Sequence, residues 1–273
     1  MDIEEFVRRP APPSEPIEAS EPGKKAGTVF VFSLQPCISS AVVRDAVSSL
    51  RRGTASLDTL VRDMGPFLTD TDGAVRRRAT ALLALVVEEL ARNDVGGEPF
   101  FATHEKTRVL CSFFGARLGD YVSIGSCLRA LRALLEFVAR RPTPDLRLVC
   151  LPVCKAVFSE LHVAALDQRL RQAVFELLLF IASDPVHAAA LTSRVDGADT
   201  PFALNFTLFF VQSIAGERDP RNLAVALRVA EHLLSPAPPA RLGTLVSSLS
   251  KDIFEVTSVY FPILLCVLMV CLA

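Results

Sequence analysis

The chain has 273 residues, 51% of them hydrophobic, with 18 Phe, 2 Tyr and no Trp, enough apolar material for a large core. A net charge of −1 excludes a global field that would draw it to nucleic acid or an anionic membrane surface. Seven cysteines, an odd number set in apolar helical stretches such as those of Cys127, Cys150 and Cys154, argue against a disulfide framework and for buried reduced thiols in a reducing, intracellular compartment.

The first stretch, "MDIEEFVRRP", is acidic and has no apolar h-region, so no secretory signal is expected. Residues 1–26 are rich in Pro and Glu with little to bury, and residues 1–40 as a whole read as disordered or irregular. Within them "TVFVFSLQP" (28–36) fits either a short strand or a capping element.

From about Ala41 apolar residues recur three and four apart, the period of an amphipathic helix. Four segments carry the pattern most clearly: Val75–Leu90, Ile124–Val138, Leu170–Ile181 and Leu223–Leu234. An Asp stands just ahead of each, namely Asp72, Asp120, Asp167 and Asp219. Asp is a good N-cap because its carboxylate accepts the unpaired N–H groups of a first turn, and Asp219-Pro220 adds a Pro whose φ is preset for the first helical position. The intervals between these residues are 48, 47 and 52. A partner helix is expected before each, over 56–68, 103–118, 146–161 and 201–215, with Gly or Pro punctuation at Gly96-Gly97, Pro142, Pro144, Pro185 and "SPAPPAR" (235–241). A recurrence near 47 predicts an all-α solenoid of HEAT/armadillo type over 41–255: four helix pairs and an unpaired terminal helix from near Leu242 through Phe254.

Residues 256–273 form an apolar tail without a charge. Pro262 divides it, and the 11 residues from Ile263 to Ala273 would cover roughly 16 Å, about half of a membrane's hydrocarbon core. On this ground a tail-anchored membrane protein with a helical cytosolic interaction domain is the alternative reading.

Motifs for chemistry are sparse. Cys150-x3-Cys154 and Cys266-x4-Cys271 lack the spacing of zinc ligands. His104, His162, His187 and His232 are scattered and read as surface or repeat-junction residues. The run "VRRRA" (75–79) could touch phosphates, but an Arg at this point of a second helix is better read as a rung of an Asp/Arg ladder between neighbouring repeats. Glu88-Glu89 is a carboxylate pair on a helix face with no cleft implied. With no P-loop, Gly-rich dinucleotide turn or GxSxG, an enzyme is not expected, nor any catalytic, cofactor-binding or metal site.

Two segments go further than periodicity. "GERDPRNLAVALRVAEHLL" (216–234) and "DIFEVTSVYFPI" (252–263) closely resemble the N-terminal region of the methyl-methanesulfonate-sensitivity "nineteen" proteins. These are large HEAT-repeat adapters of the cytosolic iron–sulfur assembly machinery, also described as nucleotide-excision-repair and transcription proteins. Support extends upstream in the same order, through residues 53–83 and 148–178. The signature residues are Gly216, Asp219, Pro220, Arg221 and Asn222 in the first segment, and Phe254, Glu255, Val256, Tyr260, Phe261 and Pro262 in the second, all expected to be structural. The resemblance implies a non-catalytic scaffold without a cofactor, found in cytoplasm and nucleus. Its implied partners are the other targeting-complex subunits and iron–sulfur client proteins of DNA repair, replication and transcription. Direct nucleic-acid binding and membrane association are not expected. After "YFPI" the family continues into many more repeats, so "LLCVLMVCLA" reads as a truncated or mis-spliced end rather than family sequence.

Overall fold

The computed structural model describes residues 40–92, 104–140, 147–192, 201–235 and 246–260. Among them are eleven α-helices and no strand: α1 (Ser40–Arg51), α2 (Leu57–Leu68), α3 (Gly73–Arg92), α4 (His104–Ala116), α5 (Ile124–Arg140), α6 (Arg147–Glu160), α7 (Gln168–Ser183), α8 (Pro185–Leu191), α9 (Phe202–Ile214), α10 (Pro220–Leu234) and α11 (Ser250–Ser258). The fold is an all-α solenoid, and the expected pairs are α2–α3, α4–α5, α6–α7 and α9–α10.

Local chemistry explains where most of these helices start. The Ser56 hydroxyl accepts the Thr59 N–H at 3.0 Å ahead of α2. The carboxylates of Asp72, Asp167 and Asp219 accept N–H groups of Ala74, Leu170 and Arg221 at 2.7, 2.9 and 2.9 Å. Each such cap stabilises its helix by about 1 kcal/mol, and Pro220 at the first position of α10 forgoes an N–H that would have had no partner.

Four expectations need correction. Asp120 does not cap a helix: it precedes a 3₁₀ turn, Tyr121–Ser123, makes no side-chain cap bond, and faces Arg76 instead. Pro185 is not a break but the first residue of α8, a short helix capped by Asp184, whose carboxylate accepts Val186 and His187 N–H groups at 3.0 and 3.1 Å. A further helix, α1, precedes the first pair. The terminal helix begins at Ser250, after a 3₁₀ turn at Ser247–Leu249, and runs to Ser258, so it crosses the expected boundary at residue 256. The segment 1–39, the possible strand at 28–36 and the tail from Phe261 lie outside the described residues.

The described residues divide into two units. In the first, which includes Asp120–Ala133, α1 and α2 both pack on α3, and the turn Tyr121–Ser123 abuts α3. In the second, which includes Thr103–Gly119 and everything from Leu134 onward, first helices stack on first helices: α4 on α6, α6 on α9, α9 on α11. Second helices stack likewise, α7 on α10, with α8 wedged against α6, α7 and α9. This two-layer stacking is how a repeat hides an apolar stripe that it cannot cover alone.

Phenylalanine fills the gaps. Phe158 of α6 stacks on Phe202 and Phe209 of α9 at centroid distances of 5.8 and 4.5 Å, with Phe206 edge-on at 6.0 Å. Phe114, Phe175, Phe202, Phe206 and Phe210 are fully buried, each contributing roughly 1.5–3 kcal/mol of apolar transfer. Where α4 meets α6 the backbones come so close that a Cβ on Gly115 would lie 2.9 Å from the Ala156 Cβ.

Candidate functional site

The most elaborate polar arrangement lies where the "GERDPRN" turn meets α7. Gly216 holds φ at +81°, a conformation that glycine adopts without strain, and ends the connection after α9. This turns the next residue, Glu217, inward: its side chain is 1% exposed. The carboxylate accepts Arg171 Nε and Nη2 at 2.7 and 3.1 Å, the Arg218 and Asp219 N–H groups at 2.8 and 3.0 Å, and Asn222 Nδ2 at 3.0 Å. Burial alone would raise this carboxyl, but Arg171, the two amides and Asn222 hold it down at about 2. Asn222, fully buried, also donates to the Gln168 carbonyl at 3.3 Å and accepts from Gln168 Nε2 at 3.4 Å. A loop and two helices are thereby locked together by one ionised group.

A second rung repeats the design in the first unit. Arg76 gives Nε and Nη2 to Asp120 at 3.1 and 3.2 Å and Nη1 to the carbonyls of Asp70 and Thr71 at 2.8 and 2.9 Å. Arg171 likewise gives Nη1 to the Leu166 carbonyl at 2.8 Å. Both arginines lie four residues after a capping Asp, and both reach a carboxylate about one repeat further along, 44 and 46 residues away. The expected ladder therefore exists, but in alternate repeats. The same position after Asp120 and Asp219 is held by Ile124 and Leu223, both buried.

The remaining signature residues fall into place around these contacts. Asp219 caps α10 and is clamped by the Arg221 guanidinium at 3.1 and 2.9 Å, which draws its carboxyl down to about 2. Tyr260, buried, donates its hydroxyl to the Ile214 carbonyl at 3.1 Å, so the second signature segment is tied to the helix end just ahead of Gly216. Glu255 pairs with Lys251 at 3.5 Å on the solvent side, Val256 is half-buried and Phe254 is 61% exposed. Phe261 and Pro262 lie outside the described residues.

Sequence reasoning missed Glu217 and Arg171, although the shared offset of Arg76 and Arg171 from their capping Asp residues was a usable signal. It also misplaced His187. Far from the surface, His187 is fully buried, with Nε2 2.9 Å from the Leu135 carbonyl and its ring edge-on to Phe180 at 5.4 Å. Cys150 stands between it and Cys154. The Cys154 thiol and His187 draw Cys150 down to about 6, against the opposing effect of burial, while the shared hydrogen bond and burial push Cys154 up. Burial pulls His187 down, and Cys150, the Leu135 carbonyl and Asp184 more than offset it. Cys111, Cys127, Cys150 and Cys154 are free and buried. Among the described residues no three His, Cys, Asp or Glu side chains are placed to share a metal ion.

Residues 61–265 match the family model MMS19_N, described as a Dos2-interacting transcription regulator of RNA-Pol-II. The chain belongs to the MMS19 family. It is 32% identical over 252 residues to the MMS19 nucleotide excision repair protein homolog of Homo sapiens, covering 90% of this chain and 21% of that protein. It is 31% identical over 236 residues to the homolog of Mus musculus, covering 86% and 20%. Over 237 residues it is 26% identical to the DNA repair/transcription protein mms19 of Schizosaccharomyces pombe, covering 86% and 20%. The chain thus spans about one fifth of the length of these relatives. Both rungs, the Gly216 turn and Tyr260 fall inside the stretch matched to the family.

Proposed function

We propose that this chain is the N-terminal part of a non-catalytic scaffold of the cytosolic iron–sulfur assembly machinery, working in cytoplasm and nucleus. It helps cluster transfer to apoproteins of DNA repair, replication and transcription by holding client and assembly subunits together. One observation supports a scaffold more than any other: the polar residues that define the signature are consumed by the fold. Asp219 caps, Glu217 and Asn222 cross-link α7 to the repeat turn, and Tyr260 ties α11 back to α9. Groups so fully engaged are held rather than poised for proton or group transfer. What remains for function is the outer face of the helices, as in other repeat arrays.

The family's names point the same way, toward nucleotide excision repair and transcription. No single helix among the described residues is long and apolar enough to cross a membrane. The test is radioactive iron incorporation into an iron–sulfur helicase in cells whose own family member lacks the region matched here. Loss of incorporation at unchanged helicase abundance is the expected result. Full incorporation without this region would remove the proposal.

A further inference from the structure

Helix α3 reads GAVRRRATALLALVVEELAR. Its charges run against its dipole: three arginines lie near the N-terminus, where acids are favoured, and two glutamates near the C-terminus, where cations are. Most of this has a local explanation. Arg76 is the ladder rung to Asp120, and Arg92 covers Glu88 and Glu89 at 2.6 and 3.4 Å. Arg77 and Arg78 are not explained by the fold. They open onto a groove of about 520 Å³ whose other wall, from the first turns of α5, adds Arg129. Among the described residues lining this groove none is acidic, and the floor is apolar, formed by Ala74, Ala81 and Leu85. Arg77 and Arg129 are exposed, and neither pairs with a carboxylate among the described residues.

We infer that this groove docks an acidic segment of a protein partner. Three guanidinium forks around one opening match two or three carboxylates, each of which an Arg can grip with two N–H groups. The alanine and leucine floor takes an aliphatic side chain lying between those carboxylates. A nucleic-acid backbone fits less well. The cationic field is short: Asp70, Asp72 and Asp120 lie at one end, and Glu88 and Glu89 stand roughly 16 Å along the helix from Arg77. A run of phosphates would meet carboxylates on either side. The net charge of −1 leaves recognition to this local patch. The inference deepens the scaffold reading, on which it rests, but requires no iron–sulfur client.

The test is fluorescence anisotropy on the 273-residue chain with a short labelled peptide of repeated Asp-Glu-Leu triplets. The groove variant is Arg77→Glu with Arg129→Glu. The control, Arg169→Glu with Arg228→Glu, makes the same charge change at exposed sites on α7 and α10. Circular dichroism and the urea midpoint confirm folding of both. The expected result is binding weakened about tenfold or more in the groove variant and unchanged in the control, with no competition from a single-stranded oligonucleotide. Three results would overturn it: no peptide binding by the unmodified chain, equal weakening in both variants, or tighter oligonucleotide binding with the same arginine dependence. Because no client is present, failure here leaves iron incorporation in cells as a separate test of the scaffold reading.

Discussion

Removing the Glu217 carboxylate is the sharpest perturbation of this fold. Replacing it with Ala deletes five hydrogen bonds at once and leaves Arg171 and the buried Asn222 facing a hole. Breaking a buried, hydrogen-bonded ion pair from one side costs about 3–5 kcal/mol, because the remaining charge stays desolvated. The acid titration gives an independent figure. A carboxyl held at about 2, against an ordinary value near 4.5, stores roughly 3 kcal/mol. Because the folded value is depressed, that stability is fully present above about pH 4.5 and is lost as pH falls toward 2. Urea denaturation of the parent and Glu217→Ala, followed by circular dichroism at pH 7 and at pH 3, measures both. The parent should lose stability between these pH values, and the variant should lose much less. A double-mutant cycle with Arg171→Met should return a coupling of at least about 1.5 kcal/mol. A Glu217→Ala cost under about 1 kcal/mol, or a coupling near zero, would refute the cross-link.

Gly115→Ala should destabilise by about 1–3 kcal/mol through the clash with Ala156, only partly offset by roughly 1 kcal/mol of helix propensity, and adding Ala156→Gly should recover most of the loss in the same denaturation assay. Tyr260→Phe should cost about 0.5–1.5 kcal/mol for the bond to the Ile214 carbonyl and raise hydrogen exchange in α11 before the rest of its unit. In an NMR titration His187 should hold its proton above the pH of an ordinary imidazole, and Cys150→Ser should drop it below, since burial then acts with less opposition; the stability it contributes is present at low pH and lost as pH rises through its folded value.

The periodicity made the helix pairs legible because the apolar stripes and capping Asp residues are local features, each spanning only a few positions. Asp72, Asp167 and Asp219 behave as their sequence context implies. Asp120 departs from it because Arg76, 44 residues upstream, captures the carboxylate and a 3₁₀ turn takes up the cap position. Helix α8 was read as a break because Pro185 and a run of alanines look like a connection; the apolar wedge they form is visible only against α6, α7 and α9. Glu217 and His187 were hidden for the same reason. One looks like a loop charge and the other like a stray imidazole until residues 46 and 52 positions away are brought beside them.

The most direct test of the scaffold reading is anaerobic size-exclusion of the purified chain with an iron–sulfur helicase in its cluster-free form, with iron assayed across the profile. The account predicts that the two coelute as a complex and that the chain alone carries no stoichiometric iron. Separate elution, or iron retained by the chain itself, would contradict it.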